Sequence, residues 1–387
     1  MSASNTAGRR LRLGMVGGGR DAFIGAVHRI AARLDDRYEL VAGALSSAPD
    51  KARASAEDLG LDPARAYGDF ETMARAEAGR GDGIQVVAIV TPNHVHVPAA
   101  KAFLDAGIHV ICDKPLATSL ADAEALAGRV AESGLFFGLT HNYTGYPLVR
   151  QARAMIAEGA LGPLRVVQAE YPQDWLATLE EATGNKQAEW RTDPARSGPV
   201  GCLGDIGTHA YNLVRFVTGL SVESLSAELT TFVDGRKLDD HAQVMLRFAG
   251  GARGMLWSSQ VATGHENGLA LRVYGEEGGL AWRQEEPNVL IHTPRSEAPR
   301  RLTRGGPGLG PAAAHATRIP PGHPEGYLEG FAQLYADSAE QIAARLEGRQ
   351  PDPATMLVPT VADGVDGMRF IDRVLASSAA DGAWTAF

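Results

Sequence analysis

The sequence predicts an α/β protein in two parts, a parallel sheet covered on both faces and then an α/β unit on a mostly antiparallel sheet. Three observations lead there. Between about 10 and 140, continuous apolar runs of strand length alternate with amphipathic helical stretches, the pattern of a parallel sheet between helix layers. From 164 onward, strand-like runs succeed one another through Gly-containing turns, which favours an antiparallel meander. The 387 residues exceed one small core and suit two domains, drawn at 1–140 and 141–387.

Taken in order, the first strands are expected at "LRLGMV" (11–16), "YELVAGAL" (38–45), "IQVVAIV" (84–90) and "IHVICD" (108–113). None alternates, so each is buried on both faces. Helical periodicity marks 22–34, 48–59, 70–77, 94–106 and 119–132, with Gly107 and Gly134 closing the last two. Right-handed crossovers then bring every carboxyl end to one edge, where ligands bind. In the second part, strands are expected at 164–171, 222–233, 241–248, 252–261, 270–275 and 279–284, and a helix at 325–346. Residues 294–324 hold seven prolines and no periodicity, so a long loop is expected there, as a cover for the site or as an interface arm. There is no internal repeat and no low-complexity tail.

Composition narrows the class. Hydrophobic residues make up 44% and charged residues 21%, ordinary for a soluble protein. The net charge of −9 argues against a nucleic-acid partner, which needs a basic surface. No apolar run approaches a membrane span, and the polar start "MSASNTAGRR" lacks the apolar segment of a signal peptide. The two cysteines, Cys112 and Cys202, form no disulfide framework and no zinc-like spacing. A cytoplasmic protein without a metal is expected.

The first strand end reads "VGGGRDAFIGAVHRIAARL" (16–34). Gly17, Gly18 and Gly19 let the backbone turn tightly and approach a pyrophosphate at the following helix N-terminus. This is a Rossmann-type dinucleotide site, with Arg20 over the phosphates and Ile24 beside them. The third glycine is Gly25, three residues later than in G-x-G-x-x-G, so the loop is longer. An acid at the second strand end would select NAD. Here that tip carries Ser46 and Ser47, so the expected cofactor is NAD or NADP, with Lys51 and Arg53 as candidate phosphate partners or simply solvated charges.

With "TPNHVHVPAA" (91–100) and "CDKP" (112–115) in view, the chain resembles the glucose–fructose oxidoreductase / inositol dehydrogenase / rhizopine-catabolism (Gfo/Idh/MocA) family. Its usual strings are T-P-N-x-x-H and E-K-P; Asp113 replaces the commoner Glu. "GCLGDIGTHAYNL" (201–213) is similar to the family's glycine run and D-x-G-x-H, and the resemblance extends through 366–378. It implies that Thr91, Pro92, Asn93, His96, Asp113 and Lys114 border the cofactor. It also implies a cis Lys114–Pro115 bond and a catalytic set of Lys114, Asp205 and His209. Most members oxidise or reduce a sugar or polyol carbon with a nicotinamide cofactor, and a minority are NAD-dependent glycosidases. The second domain's open sheet face commonly makes subunit contacts, so a homodimer or homotetramer is implied.

The residues' own chemistry agrees. An isolated strand-end lysine is ordinarily a solvated charge, but oxidising an alcohol requires removal of its proton and stabilisation of the resulting charge. Asp205 and His209 stand four apart at a helix start and share one face. Imidazole suits the proton, and an ammonium suits the alkoxide. His209 is therefore assigned as general base, Lys114 as electrostatic partner and relay, and Asp205 as substrate ligand or orienter. Gly201, Gly204 and Gly207 are expected to allow close packing against a ligand. Further substrate-binding candidates are Asn142, Tyr143, Gln168 and Arg191, with His323 on a loop. The expected substrate is a sugar, sugar derivative or inositol. A glycosidase acting by transient oxidation would use the same residues but leave no net NADH. A non-catalytic nicotinamide sensor would bind cofactor without turnover.

Overall fold

The structure, a computed structural model, describes residues 10–387. The reading of a polar start falls on residues 1–9, outside the described residues. The first part runs β1 (Leu11–Gly17), α1 (Phe23–Leu34), β2 (Tyr38–Ala44), α2 (Pro49–Asp58), α3 (Phe70–Ala78) and β3 (Val86–Val90). It continues through α4 (His96–Asp105), β4 (His109–Cys112), α5 (Leu120–Ser133) and β5 (Phe137–Leu139). All five strands are parallel, in the order β2-β1-β3-β4-β5. Every residue of β3 and β4 is buried, which is why their sequences are unbroken apolar runs. Side chains of Asp69 and Ser119 cap α3 and α5, and Gly134 ends α5 in the left-handed conformation.

The second part opens with α6 (Pro147–Ala157), β6 (Leu164–Pro172), α7 (Lys186–Arg191), α8 (Pro194–Ser197) and α9 (Thr208–Thr218). Then come β7 (Val222–Thr230), β8 (His241–Phe248), β9 (Arg253–Ser259), β10 (Ala270–Gly275), β11 (Gly278–Arg283), β12 (Val289–Pro294) and β13 (Arg300–Thr303). The chain closes with α10 (Pro311–His315), α11 (Tyr327–Glu347), α12 (Val361–Ala379) and β14 (Thr385–Ala386). Nine strands form one sheet, ordered β13-β12-β11-β10-β6-β9-β8-β7-β14. Its neighbours are antiparallel except β6 and β9. Strand β8 shows the logic: Ala242, Val244, Leu246 and Phe248 are buried under the helices, while Gln243, Met245 and Arg247 are exposed on the other face.

Helix α11 packs the second part of the chain against the parallel sheet. Its Phe331, Ala332 and Tyr335 join Leu13, Met15, Val86 and Ala88 in the core on one face of the parallel sheet. Tyr335 shares a 2.8 Å hydrogen bond with His28 of α1 and accepts another at its carbonyl from the Tyr38 hydroxyl. The chain thus returns from its far end to cover the sheet with which it began.

The expected loop over 294–324 is corrected by β13 and α10. Its prolines interrupt periodicity without preventing order, because buried polar anchors hold the segment. Arg304 pairs with Glu325 at 2.8 Å and donates to Asn288, Ile319 and Pro320; His315 reaches Asp337 at 2.7 Å. No residue of 294–324 lines the main cleft, so the covering role is also corrected.

On the uncovered face of the nine-stranded sheet, Met245 (53% exposed), Met255 (51%) and Tyr274 (42%) lie open. An apolar patch of this kind is characteristic of a subunit interface. Light scattering at micromolar concentration is expected to return at least twice the 40.9 kDa of one chain. A mass near 40.9 kDa would contradict it.

Candidate active site

A cleft of about 1090 Å³ runs from the glycine loop to the helix carrying His209. At its first end, Gly17 and Gly18 hold left-handed φ angles of 78° and 71°, which an L side chain adopts only under strain. A Cβ on Gly25 would lie 2.3 Å from the Gly18 Cα, so Gly25 is the glycine that lets α1 pack against the loop. Gly19 donates to the Leu45 carbonyl at 3.1 Å, and Ile24, Ser46 and Ser47 line the same cleft. Arg20 lines it too, but its guanidinium is paired with Asp58 at 2.5 Å. A cofactor phosphate would meet this half-exposed pair with the α2 carboxylate. Lys51 is likewise paired with Asp21, and Arg53 with Asp50 on its own helix.

Thr91, Pro92 and Asn93 line the cleft. The Asn93 amide donates to the Ser197 carbonyl at 2.9 Å, joining β3's end to α8. His96 does not line the cleft. It is fully buried, with its ring nitrogens 2.8 Å from the Pro115 carbonyl and 2.9 Å from that of Thr91. A neutral ring donates to only one carbonyl at a time, and burial pushes its pKa down. His96 therefore buttresses two loops instead of meeting a cofactor. Asp113 accepts from the Lys114 amide at 2.9 Å and the Thr140 hydroxyl at 2.8 Å.

The Lys114–Pro115 bond is cis. The Lys114 ammonium lies 2.6 Å from the Asp205 carbonyl and 3.1 Å from its Oδ1. Asp205 occupies a π-helical turn, Leu203–Gly207, ahead of α9; His209 follows in the first turn of α9. The other carboxylate oxygen accepts from Gln260 at 2.9 Å and lies 3.3 Å from Arg191 Nε. Burial alone would raise the Asp205 pKa, but the Lys114 and Arg191 cations outweigh it and hold the group below the usual carboxylate range. Both oxygens are therefore occupied by donors of the chain, the arrangement of an orienter. The glycine run packs against protein and not a ligand: a Cβ on Gly201 would meet the Asp239 carbonyl at 2.4 Å, and one on Gly207 the Leu203 and Ser258 side chains. That expectation is corrected, because the π turn is pressed onto the sheet.

The His209 ring is buried among Tyr143 (centroids 4.9 Å apart), His141 (5.5 Å) and Tyr171 (6.2 Å). Its Nδ1 is sealed off without a hydrogen-bond partner, leaving Nε2 as the nitrogen to meet a ligand. Burial, then Lys114, keep this imidazole neutral, with a pKa well below its ordinary value. Tyr143 shares a hydrogen bond with Tyr171, which donates to Asn267 at 2.7 Å. Gln173 donates to the same Asn267 oxygen at 2.8 Å and accepts from Trp175. Asn142 lines the cleft with its buried amide nitrogen unpartnered. Arg191 lies 4.3 Å from the Trp190 ring.

Gln168 is corrected. It stands on the uncovered sheet face beside Met255 and does not line the cleft. Strand parity explains this: Val167, Ala169 and Tyr171 turn inward on β6, so the site residue is Tyr171. His323 is also absent from the cleft lining. Residues the sequence did not disclose are Tyr171, Gln173, Trp175, Gln260 and Asn267. For Tyr171 the alternation of 164–171 was a usable signal; the others lie outside regular strands and carry none.

The cleft suits a dinucleotide at one end, where the glycines are left-handed and the buried Thr91 hydroxyl lacks a partner. At the other end it presents an ammonium, a neutral imidazole and phenols, the groups of a polar oxidoreductase site. Family models agree: one described as "Oxidoreductase family, NAD-binding Rossmann fold" matches residues 11–141, and the GFO/IDH/MocA C-terminal domain matches 149–281. An oxidoreductase structure from Sinorhizobium meliloti is 57% identical, covering 98% of this chain and 100% of its own, with a TM-score of 0.89. An inositol dehydrogenase homolog from Azotobacter vinelandii, complexed with NADH and myo-inositol, is 37% identical over 98% of both chains, with a TM-score of 0.91. Levoglucosan dehydrogenase of Pseudarthrobacter phenanthrenivorans is 29% identical over 97% of this chain and 98% of its own. The chain belongs to the Gfo/Idh/MocA oxidoreductase family, with an NAD-binding Rossmann domain. Among the described residues, no helix is long and apolar enough to cross a membrane.

Buried histidines set an acid limit on folding. Burial pushes His28 and His109 down to about 4 and His141 to about 3, and lowers His96 and His209 as well. Below pH ~6.5 the unfolded chain takes up protons that the folded chain does not, so stability is full above that pH and falls as the pH drops. The loss approaches roughly 1.4 kcal/mol per pH unit for each histidine. Asp239, raised by burial to about 6, opposes it for one group. Tm is expected to fall by many degrees from pH 7.5 to 5.5; an unchanged Tm would contradict the neutral assignment.

Proposed function

We propose that the protein is a dehydrogenase that moves a hydride between a nicotinamide cofactor and a ring carbon of a sugar, sugar derivative or inositol. One observation carries this reading. Of the three N–H donors on Lys114, Asp205 takes two through its carbonyl and carboxylate oxygens. One donor is left for a substrate oxygen in the cleft. Bound cofactor supplies the hydride acceptor for oxidation or the donor for reduction. The protein's residues manage the proton and the charge: His209 takes the hydroxyl proton at Nε2, and Lys114 stabilises the negative charge left on oxygen. Tyr143, Asn142 and Arg191 are the proposed hydroxyl ligands.

The A. vinelandii and P. phenanthrenivorans relatives support a polyol or anhydrosugar as the substrate class. The NADH complexes of the A. vinelandii homolog and of a levoglucosan dehydrogenase, with the pairing of Lys51 to Asp21 and of Arg53 to Asp50, favour NAD. Absorbance at ~340 nm, followed with inositols and sugars and with NAD or NADP, tests the reading. Reduction of NAD by at least one polyol is expected; cofactor binding without turnover on any would contradict it. With that substrate, Lys114→Ala and His209→Ala are each expected to lower kcat by roughly 10²–10⁴-fold. Acting on one proton transfer, the double variant should lose less than the product of the two. A folded, cofactor-saturated single variant within a few-fold of the parent would sink the assignment.

A further inference from the structure

Gln260 lies immediately behind the catalytic set without lining the cleft. It is 2% exposed, just past the end of β9, and its amide donates to Asp205 Oδ2 at 2.9 Å. Its backbone is fixed on both sides: its N–H donates to the Asp240 carbonyl at 2.9 Å, and its carbonyl accepts from Leu176 at 3.1 Å. Arg236, buried as well, donates to the Leu176 carbonyl and to Asp240. Gln260 therefore has little freedom to follow a moving carboxylate.

We infer that Gln260 is a positioning residue, which fixes the plane of the Asp205 carboxylate so that Oδ1 faces Lys114 and the ammonium keeps one N–H for the substrate. A carboxylate is free to rotate about its last bond, and Arg191 at 3.3 Å, without good hydrogen-bond geometry, restrains it poorly. Loss of the Gln260 donor leaves a buried acceptor short of a partner. Asp205 then turns to satisfy it, and Lys114 loses its second hold. The consequence for catalysis rests on the dehydrogenase reading above; the consequence for Lys114 does not.

Two substitutions separate positioning from simple structural support. Gln260→Leu removes the donor at similar size. Gln260→Glu sets a second carboxyl against Asp205: ionised it repels, protonated it donates as the amide did. The first readout needs no turnover. Acetylation of Lys114 by acetic anhydride, followed by mass spectrometry, should be about tenfold faster in Gln260→Leu at pH 8, as an amine freed from its second acceptor is more accessible. The exposed Lys101 serves as the reference and should label at the parent rate. In the second readout, Gln260→Leu should lower kcat roughly 10–100-fold at every pH, with NAD affinity within twofold of the parent. The loss in Gln260→Glu should instead shrink as the pH falls. Unchanged Lys114 acetylation in folded Gln260→Leu would overturn the inference. So would a Gln260→Glu profile parallel to that of Gln260→Leu. Were no polyol turned over by the parent, the dehydrogenase reading would fail on its own, and the acetylation result would still decide the role of Gln260.

Discussion

The contact between Lys114 and Asp205 joins the end of the parallel sheet to the helix layer of the antiparallel one, and both side chains are only about 15% exposed. A lysine in such a place costs free energy unless its charge is met by acceptors of fixed geometry. Asp205 provides two, one from its backbone and one from its carboxylate. The carboxylate must in turn be held against its own burial, which the Gln260 hydrogen bond and the Arg191 charge achieve at its other oxygen. Much of the surrounding architecture follows from this pair. Asp113 fixes the lysine's backbone from Thr140, and the π turn brings the Asp205 carbonyl within reach.

That junction also explains the long excursion between β6 and α9. Residues 173–197 leave the antiparallel sheet and cross toward the glycine loop. Trp175, Lys186, Trp190, Arg191 and Arg196 all face the cleft. Arg236 secures the start of this segment through Leu176, Thr178 and Glu181, and Asn93 secures its end at Ser197. The electrostatic partner of Asp205 and an aromatic wall of the cleft arrive on one piece of chain. On the far side, α11 locks the parallel sheet to the second half, so the cleft walls are set by shared cores.

The strands and helices of the first part were legible in the sequence because burial on both faces leaves continuous apolar runs, and the caps and glycines mark where they stop. Lys114, Asp205 and His209 were legible because each sits inside a short motif at the end of an element. Other positions were not, for physical reasons. Gln168 and Tyr171 lie on one strand, and only the sheet's orientation says which parity faces the cleft. Gln260 and Asn267 owe their places to contacts with residues far away in the chain, which local pattern does not encode. His96 sits in a cofactor-like motif yet is fully buried, with its ring nitrogens facing two backbone carbonyls. The proline-rich 294–324 segment looked shapeless because its order comes from buried anchors at Arg304 and His315 and not from periodicity.

The most direct measurement is a crystal structure of the protein with NADH and a polyol that it turns over. One substrate hydroxyl is expected within roughly 2.6–3.2 Å of both the Lys114 ammonium and His209 Nε2, with Asp205 still bound to Lys114 and Gln260. A substrate hydroxyl seated on the Asp205 carboxylate, with Lys114 turned away and His209 out of hydrogen-bond reach, would contradict it.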